Sequence, residues 1–122
     1  MGTFRVTLTI RNPERPAKEI AVEKVLVDTE AEYSWLPEET VSRAGITVRK
    51  KDISFVMANG TYITRDIGYA ILGCNELETV DEIVFCKKGD LSLLGSRALE
   101  RFGAAVDARK KKLVAAGTLP AA

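Results

Sequence analysis

Residues 24–31 read Lys24-Val25-Leu26-Val27-Asp28-Thr29-Glu30-Ala31, an apolar β-type run that ends on an acid. Aspartate is depleted in strands, and a carboxylate leaving a buried run loses hydration unless partners or a function hold it there. Two readings of Asp28 follow from the residues alone. One is a turn former bonded to its own backbone; the other is a functional carboxylate that the strand delivers to the interior. The apolar pattern resumes at once in Tyr33-Ser34-Trp35-Leu36-Pro37, so the acid sits in a short break between two hydrophobic runs. Trp35 and Tyr33 could line a cleft beside that break, but aromatics at strand spacing more often fill a core.

Upstream, Phe4-Arg5-Val6-Thr7-Leu8-Thr9-Ile10 alternates with period two and reads as a half-buried strand ended by Asn12-Pro13. A second run from Ile20 leads into Val25-Leu26-Val27, whose continuous apolarity predicts burial on both faces. Downstream, Pro37 to Gly45 carries proline at a helix start, acids in the first turn and glycine after the end, which predicts one short helix. Ile53–Ala58 and Tyr62–Ile67 flank Asn59-Gly60, a strong hairpin signal with both turn positions expected at positive φ. Tyr69–Leu72 and Val80–Cys86 read as further strands about a turn at Asn75-Glu76. Leu91–Gly95 leads to a second helix, Ser96 to Phe102, with Ser96 as its cap and Gly103 as its stop. Ala104–Asp107 and Leu113-Val114 form a small hairpin, followed by an apolar tail with no pattern. The units 25–45 and 91–103 share a loose strand, turn and helix order that suggests an internal repeat.

The whole chain of 122 residues suits one domain, with a core of about 4–114 and a tail of 115–122. Eighteen basic and 17 acidic residues leave a net charge of +1, which gives no footprint for nucleic acid or an anionic membrane. Arg49-Lys50-Lys51 and Arg109-Lys110-Lys111-Lys112 read as solvated turns. There is no run long enough to span a bilayer, and Met1 to Arg5 enters a strand pattern directly, so we expect a soluble, cytoplasmic protein. With no histidine and only Cys74 and Cys86, zinc sites and Ser-His or Cys-His pairs are excluded. Both cysteines read as small buried hydrophobes, with a disulfide left open.

Val25-Leu26-Val27-Asp28-Thr29, the Asn59-Gly60 hairpin, Leu93-Leu94-Gly95 and Val106-Asp107 together resemble the retropepsin-like aspartic peptidases, in particular their small single-domain prokaryotic members. The resemblance runs from about Phe4 to Val114. It implies a mostly β fold, a closed antiparallel barrel of the acid-protease kind with one or two short helices. It also implies hydrolysis of peptide bonds, with Asp28 as the catalytic residue and no cofactor or metal. One Asp-Thr copy cannot both activate water and protonate the carbonyl oxygen, so the implied active unit is a homodimer with one Asp28 from each chain. Thr29, Glu30 and Ala31 would support the active-site loop, Thr29 by bonding across the two-fold axis. Met57, Ala58, Asn59, Gly60 and Thr61 would form a flap over an extended peptide or protein substrate, and Leu93, Leu94 and Gly95 would be a structural loop.

One position departs from that pattern. The family carries glycine where this chain has Glu30, and a missing Cβ there lets substrate and partner backbone approach the turn. Glu30 adds bulk and charge, and in a dimer it would bring up to four carboxylates near one axis. Three consequences stay open: an active peptidase with Glu30 turned to solvent, a silenced peptide-binding or scaffolding homologue, or a hard-cation site. If residue 30 occupied a conformation reserved for glycine, strain of about 1–3 kcal/mol would follow.

Overall fold

A computed structural model describes residues 4–118 and 121. Of the expected tail, Leu119, Pro120 and Ala122 lie outside the described residues, as do Met1 to Thr3. Strand β1 (Arg5–Asn12) turns through Pro13-Glu14 into β2 (Arg15–Val27), and the pair runs antiparallel. After the Asp28 loop come β3 (Ser34–Pro37) and helix α1 (Glu38–Arg43). The hairpin β4 (Lys50–Val56) and β5 (Tyr62–Cys74) leads through Asn75-Glu76 to β6 (Leu77–Cys86). The short β7 (Leu93–Leu94), helix α2 (Ser96–Phe102) and the hairpin β8 (Ala104–Asp107) and β9 (Lys112–Ala115) complete the described chain.

The fold is mostly β with short helices, as the pattern implies. The first seven strands form one sheet in the order β1-β2-β7-β3-β6-β5-β4, and β1 pairs additionally with β5. Strands β8 and β9 form a separate sheet of two. Most pairings are antiparallel, but β2 with β7 and β3 with β6 are parallel. Those two pairings join segments far apart in sequence, which no local pattern announces. The β2–β7 pairing also sets the strands of the two similar units side by side. Strand β7 sits between β2 and β3, so the chain leaving β2 must pass the end of β7 before entering β3.

Period-two alternation sends the side chains at the end of β6 into two different cores. On β6, Ile83 and Phe85 enter the main core with Leu8, Ile10, Val25, Val27, Leu36, Leu72 and Leu94. Val84 and Cys86 point the other way, into a second cluster with Trp35 and Ile67, bordered by Tyr33, Ile53, Phe55, Ile63 and Leu93. Trp35 is therefore core, the more common fate for such an aromatic. Cys74 and Cys86 are free and buried, and burial pushes the Cys86 thiol up to about 12. No helix among the described residues is long and apolar enough to cross a membrane.

Several local expectations need correction. The 62–67 and 69–72 runs are one continuous strand, β5. Gly95, not Ser96, is the N-cap of α2, and no side chain caps that helix. Only Gly60 of the Asn59-Gly60 turn has positive φ, at 88°. Val56 pairs with Tyr62 and the Met57 N–H donates to the Thr61 carbonyl, which makes a three-residue loop closed by a left-handed glycine. Lys50 and Lys51 belong to β4 rather than to a solvated turn, and Arg49 pairs with Glu14 across 2.9 Å. The second basic run does form an exposed turn.

Arg65 and Asp90 make a forked ion pair, Nε to Oδ2 at 2.7 Å and Nη2 to Oδ1 at 2.9 Å, with both side chains only 14% exposed. The Arg65 hydrogen bond holds the Asp90 carboxyl below the usual carboxylate range. A depressed folded value means that the stability gained is complete above the unfolded-state pKa of about 3.9 and disappears as pH falls through the folded one. Asp90→Asn is expected to cost about 2 kcal/mol at neutral pH, a deficit that closes on acidification in urea titrations of both proteins.

Candidate active-site loop

Asp28 is half-buried at the end of β2, not fully interior as its strand suggested. Its backbone N–H donates to the Leu94 carbonyl at 3.0 Å, which continues the parallel ladder from β7 one residue past the strand. Its Oδ1 accepts the Glu30 N–H at 3.0 Å, and its carbonyl accepts the Ala31 N–H at 3.3 Å. The turn-forming reading of Asp28 is therefore correct, and it leaves Oδ2 outside that turn.

The far side of the loop is pinned by backbone as well. The Ser96 N–H donates to Ala31 O at 2.7 Å and the Arg97 N–H to Glu32 O at 3.2 Å. Beside them the Gly95 N–H donates to the buried Ser34 hydroxyl at 3.0 Å. Leu94, Gly95, Ser96 and Arg97 thus hold Asp28, Ala31, Glu32 and Ser34 along the loop. Gly95 is irreplaceable for a steric reason. A Cβ there would fall 2.7 Å from the Glu32 carbonyl oxygen and closer still to that of Tyr33, and both are backbone atoms that cannot swing aside.

Glu30 does not adopt a conformation reserved for glycine. The non-glycine residues with positive φ among the described ones are Lys24, Asp52, Asn75 and Lys111. The strain that glutamate could have introduced is absent. Glu30 is exposed, as is Thr29, and Ala31 is half-buried. No group of three or more His, Cys, Asp or Glu among the described residues is arranged to hold a metal ion.

The Asn59-Gly60 hairpin has its own internal bonding, with the Asn59 carboxamide oxygen accepting from the Thr61 N–H at 3.0 Å and its hydroxyl at 2.7 Å. Met57, Ala58, Asn59, Gly60 and Thr61 are all exposed. Its apolar flanks are exposed too, Tyr62 by 75% and Val56 by 62%. Just below its turn, in contrast, the hairpin reaches the Asp28 loop and β3 through Phe55, which meets Tyr33 edge-on at 5.6 Å and Trp35 at 5.0 Å.

Two features were invisible from sequence. Ser34 lies in an apolar run with nothing to mark its buried hydroxyl as the acceptor for Gly95. The other is a charged cleft of about 380 Å³, lined by Glu14, Arg49, Asp81, Glu82, Arg97 and Arg101 among others, away from Asp28. Most of its charges are paired, Arg49 with Glu14, Arg97 with Glu82, and Arg101 with Asp81 Oδ1 at 3.3 Å, while Asp81 Oδ2 has no hydrogen-bond partner among the described residues. The Asp81 side chain is only 2% exposed, and burial pushes its pKa up against the Glu82 N–H and the two arginines. We therefore read the cleft as a structural ion cluster, and the Asp28 loop as the functional candidate.

Gly95→Ala is expected to destabilise the fold by about 3 kcal/mol or more, because backbone rather than a side chain must give way. Glu30→Gly should cost about 0.5–1 kcal/mol through the freer unfolded chain. Urea denaturation midpoints measure both, and a Glu30→Gly protein more stable than the parent would mean that the loop is strained after all.

No protein-family model matches the chain, and no curated protein matches it. Among solved structures, the chain is similar to a retropepsin-like aspartic protease from Rickettsia conorii, at 21% identity over 88% of this chain and 89% of that one, with a TM-score of 0.49.

Proposed function

We propose that this chain is a retropepsin-like aspartic endopeptidase domain that works as a homodimer, each subunit contributing one Asp28. The observation that carries the reading is the Asp28 turn itself. One carboxylate oxygen is tied to the loop through the Glu30 N–H, and the backbone on both sides is bonded to 94–97. A rigid loop presenting a half-buried carboxylate suits a group that must act within tight geometry. The β1–β5 pairing, which joins strands from opposite parts of the sheet order, supports reading the sheet as a closed barrel of the acid-protease kind.

In this reading, two Asp28 carboxyls about 3 Å apart share one proton, because like charges so close do not both ionise. The ionised one takes a proton from a water that attacks the scissile carbonyl carbon. The protonated one gives its proton to the carbonyl oxygen. Collapse of the tetrahedral intermediate then breaks the C–N bond as a proton passes to the leaving nitrogen. Thr29 braces the paired loops, and the 57–61 hairpin folds over the peptide and excludes water. The substrate is an extended peptide or protein segment that adds its backbone hydrogen bonds to the strands and hairpin. The unstrained backbone at Glu30 supports a competent loop despite the missing glycine, with the glutamate turned outward. Its partners in this reading are a second copy of the chain and the substrate, and the reaction needs no cofactor, nucleic acid or membrane.

The rival is a peptide-binding or scaffolding homologue in which the Glu30 charge has silenced turnover. The purified protein, Asp28→Asn and Glu30→Gly are each incubated with a mixed peptide library from acidic to neutral pH, and new termini are read by mass spectrometry. Cleavage is expected from the parent and from Glu30→Gly, and none from Asp28→Asn. Cleavage by Glu30→Gly alone would establish the silenced homologue, and no cleavage by any of the three would overturn the peptidase reading. A monomer at micromolar concentration in sedimentation would remove the shared-site mechanism.

A further inference from the structure

Arg97 is the point where four elements meet. It lies in the first turn of α2, and its backbone N–H is bonded to Glu32 O in the Asp28 loop. Its guanidinium lies over the Tyr33 ring, 4.7 Å from the centroid. The other contacts of that ring include the edge-on meeting with Phe55 of β4 at 5.6 Å. The guanidinium also donates from Nη2 to Glu82 Oε1 of β6 at 3.1 Å, while Glu82 Oε2 takes the Lys50 ammonium of β4. Two routes thus leave Arg97 and end on the same strand. One is a stack, Arg97 to Tyr33 to Phe55, and the other an ion chain, Arg97 to Glu82 to Lys50.

Both anchor points, Lys50 and Phe55, lie on β4, the first strand of the 50–65 hairpin, at its two ends. A strand held at one end could pivot; held at both, it moves with what holds it. Cation–π stacking and a charge-assisted bond are each of the order of 1 kcal/mol when partly buried. Arg97 and Glu82 are partly buried, with side chains 25% and 16% exposed, so screening reduces but does not abolish the second. We propose that Arg97 is a positioning residue that couples the β4–β5 hairpin to the Asp28 loop, so that closure of the hairpin on a peptide is transmitted to the loop. The functional meaning rests on the peptidase reading above; the coupling itself does not.

Glu82 gives the decisive comparison, because each of its oxygens serves a different partner. Glutamine in its place keeps an acceptor oxygen on one side and turns an NH2 donor toward the other cation, so it cannot serve Arg97 and Lys50 where they stand. Hydrogen–deuterium exchange of the full chain is compared for the parent, Arg97→Met, Glu82→Gln and the double variant. Arg97→Met is expected to speed exchange about tenfold in both 30–35 and 50–56, and Glu82→Gln about threefold in both, with 69–74 unchanged. Because both act through one junction, the double variant should match Arg97→Met alone.

The proposal is overturned if Arg97→Met leaves either segment at the parent rate, if Glu82→Gln acts on 50–56 only, or if the two effects multiply. Should Arg97→Met also speed 69–74, the fold as a whole has loosened, and the Glu82→Gln pattern decides. None of these readouts needs hydrolysis, so a chain that cleaves nothing would sink the peptidase reading and leave the coupling standing or falling on exchange alone. If it does cleave, Arg97→Lys is expected to lower kcat with little change in KM, since the reacting groups are misplaced rather than the peptide lost.

Discussion

The loop from Asp28 to Ser34 exists in its present shape because another segment's backbone runs against it. Four bonds, Asp28 N to Leu94 O, Gly95 N to Ser34 Oγ, Ser96 N to Ala31 O and Arg97 N to Glu32 O, lock residues 28–34 to 94–97. The approach is so close that position 95 has no room for a Cβ. Everything else in the site follows from that contact. The parallel pairing of β2 with β7 aligns the two segments, the Asp28 turn projects from the alignment, and α2 starts directly behind it.

Close backbone contact of this kind also explains how Glu30 is tolerated. The loop's shape is imposed from outside, by partners on 94–97, rather than by the conformational freedom of its own residues. Residue 30 needs no left-handed backbone, and its side chain faces solvent. What glutamate changes is therefore charge and bulk at the rim of the loop, not its course. Repulsion between rim carboxylates acts on any second copy or peptide that approaches, which is where its effect on function would be felt.

The charged residues behind the loop are organised around burial rather than around solvent. Asp81 is buried with one carboxylate oxygen that has no partner among the described residues, and burial raises its pKa. Its neighbour Glu82 is held below the usual carboxylate range by the Lys50 hydrogen bond. Two adjacent acids on one strand are thus driven in opposite directions, Asp81 by burial and Glu82 by its Lys50 hydrogen bond. This arrangement costs stability at Asp81 above its unfolded pKa and recovers it at Glu82, while it keeps Arg97 in place over Tyr33.

Local patterns in the chain determined a good deal: the mostly β class, the two short helices, the hairpin at Asn59-Gly60, the stop at Gly103 and the turn at Asp28. Each rests on interactions between residues near in sequence, where periodicity, turn chemistry and capping leave direct marks. Only the tertiary structure decided that β7 enters between β2 and β3, that Ser34 receives Gly95, that Asp28 is half-buried, and that Tyr33, Phe55, Glu82 and Lys50 converge on Arg97. Those contacts join residues from 15 to 67 positions apart. Their energy comes from burial and from pairing across elements, which a one-dimensional pattern does not encode.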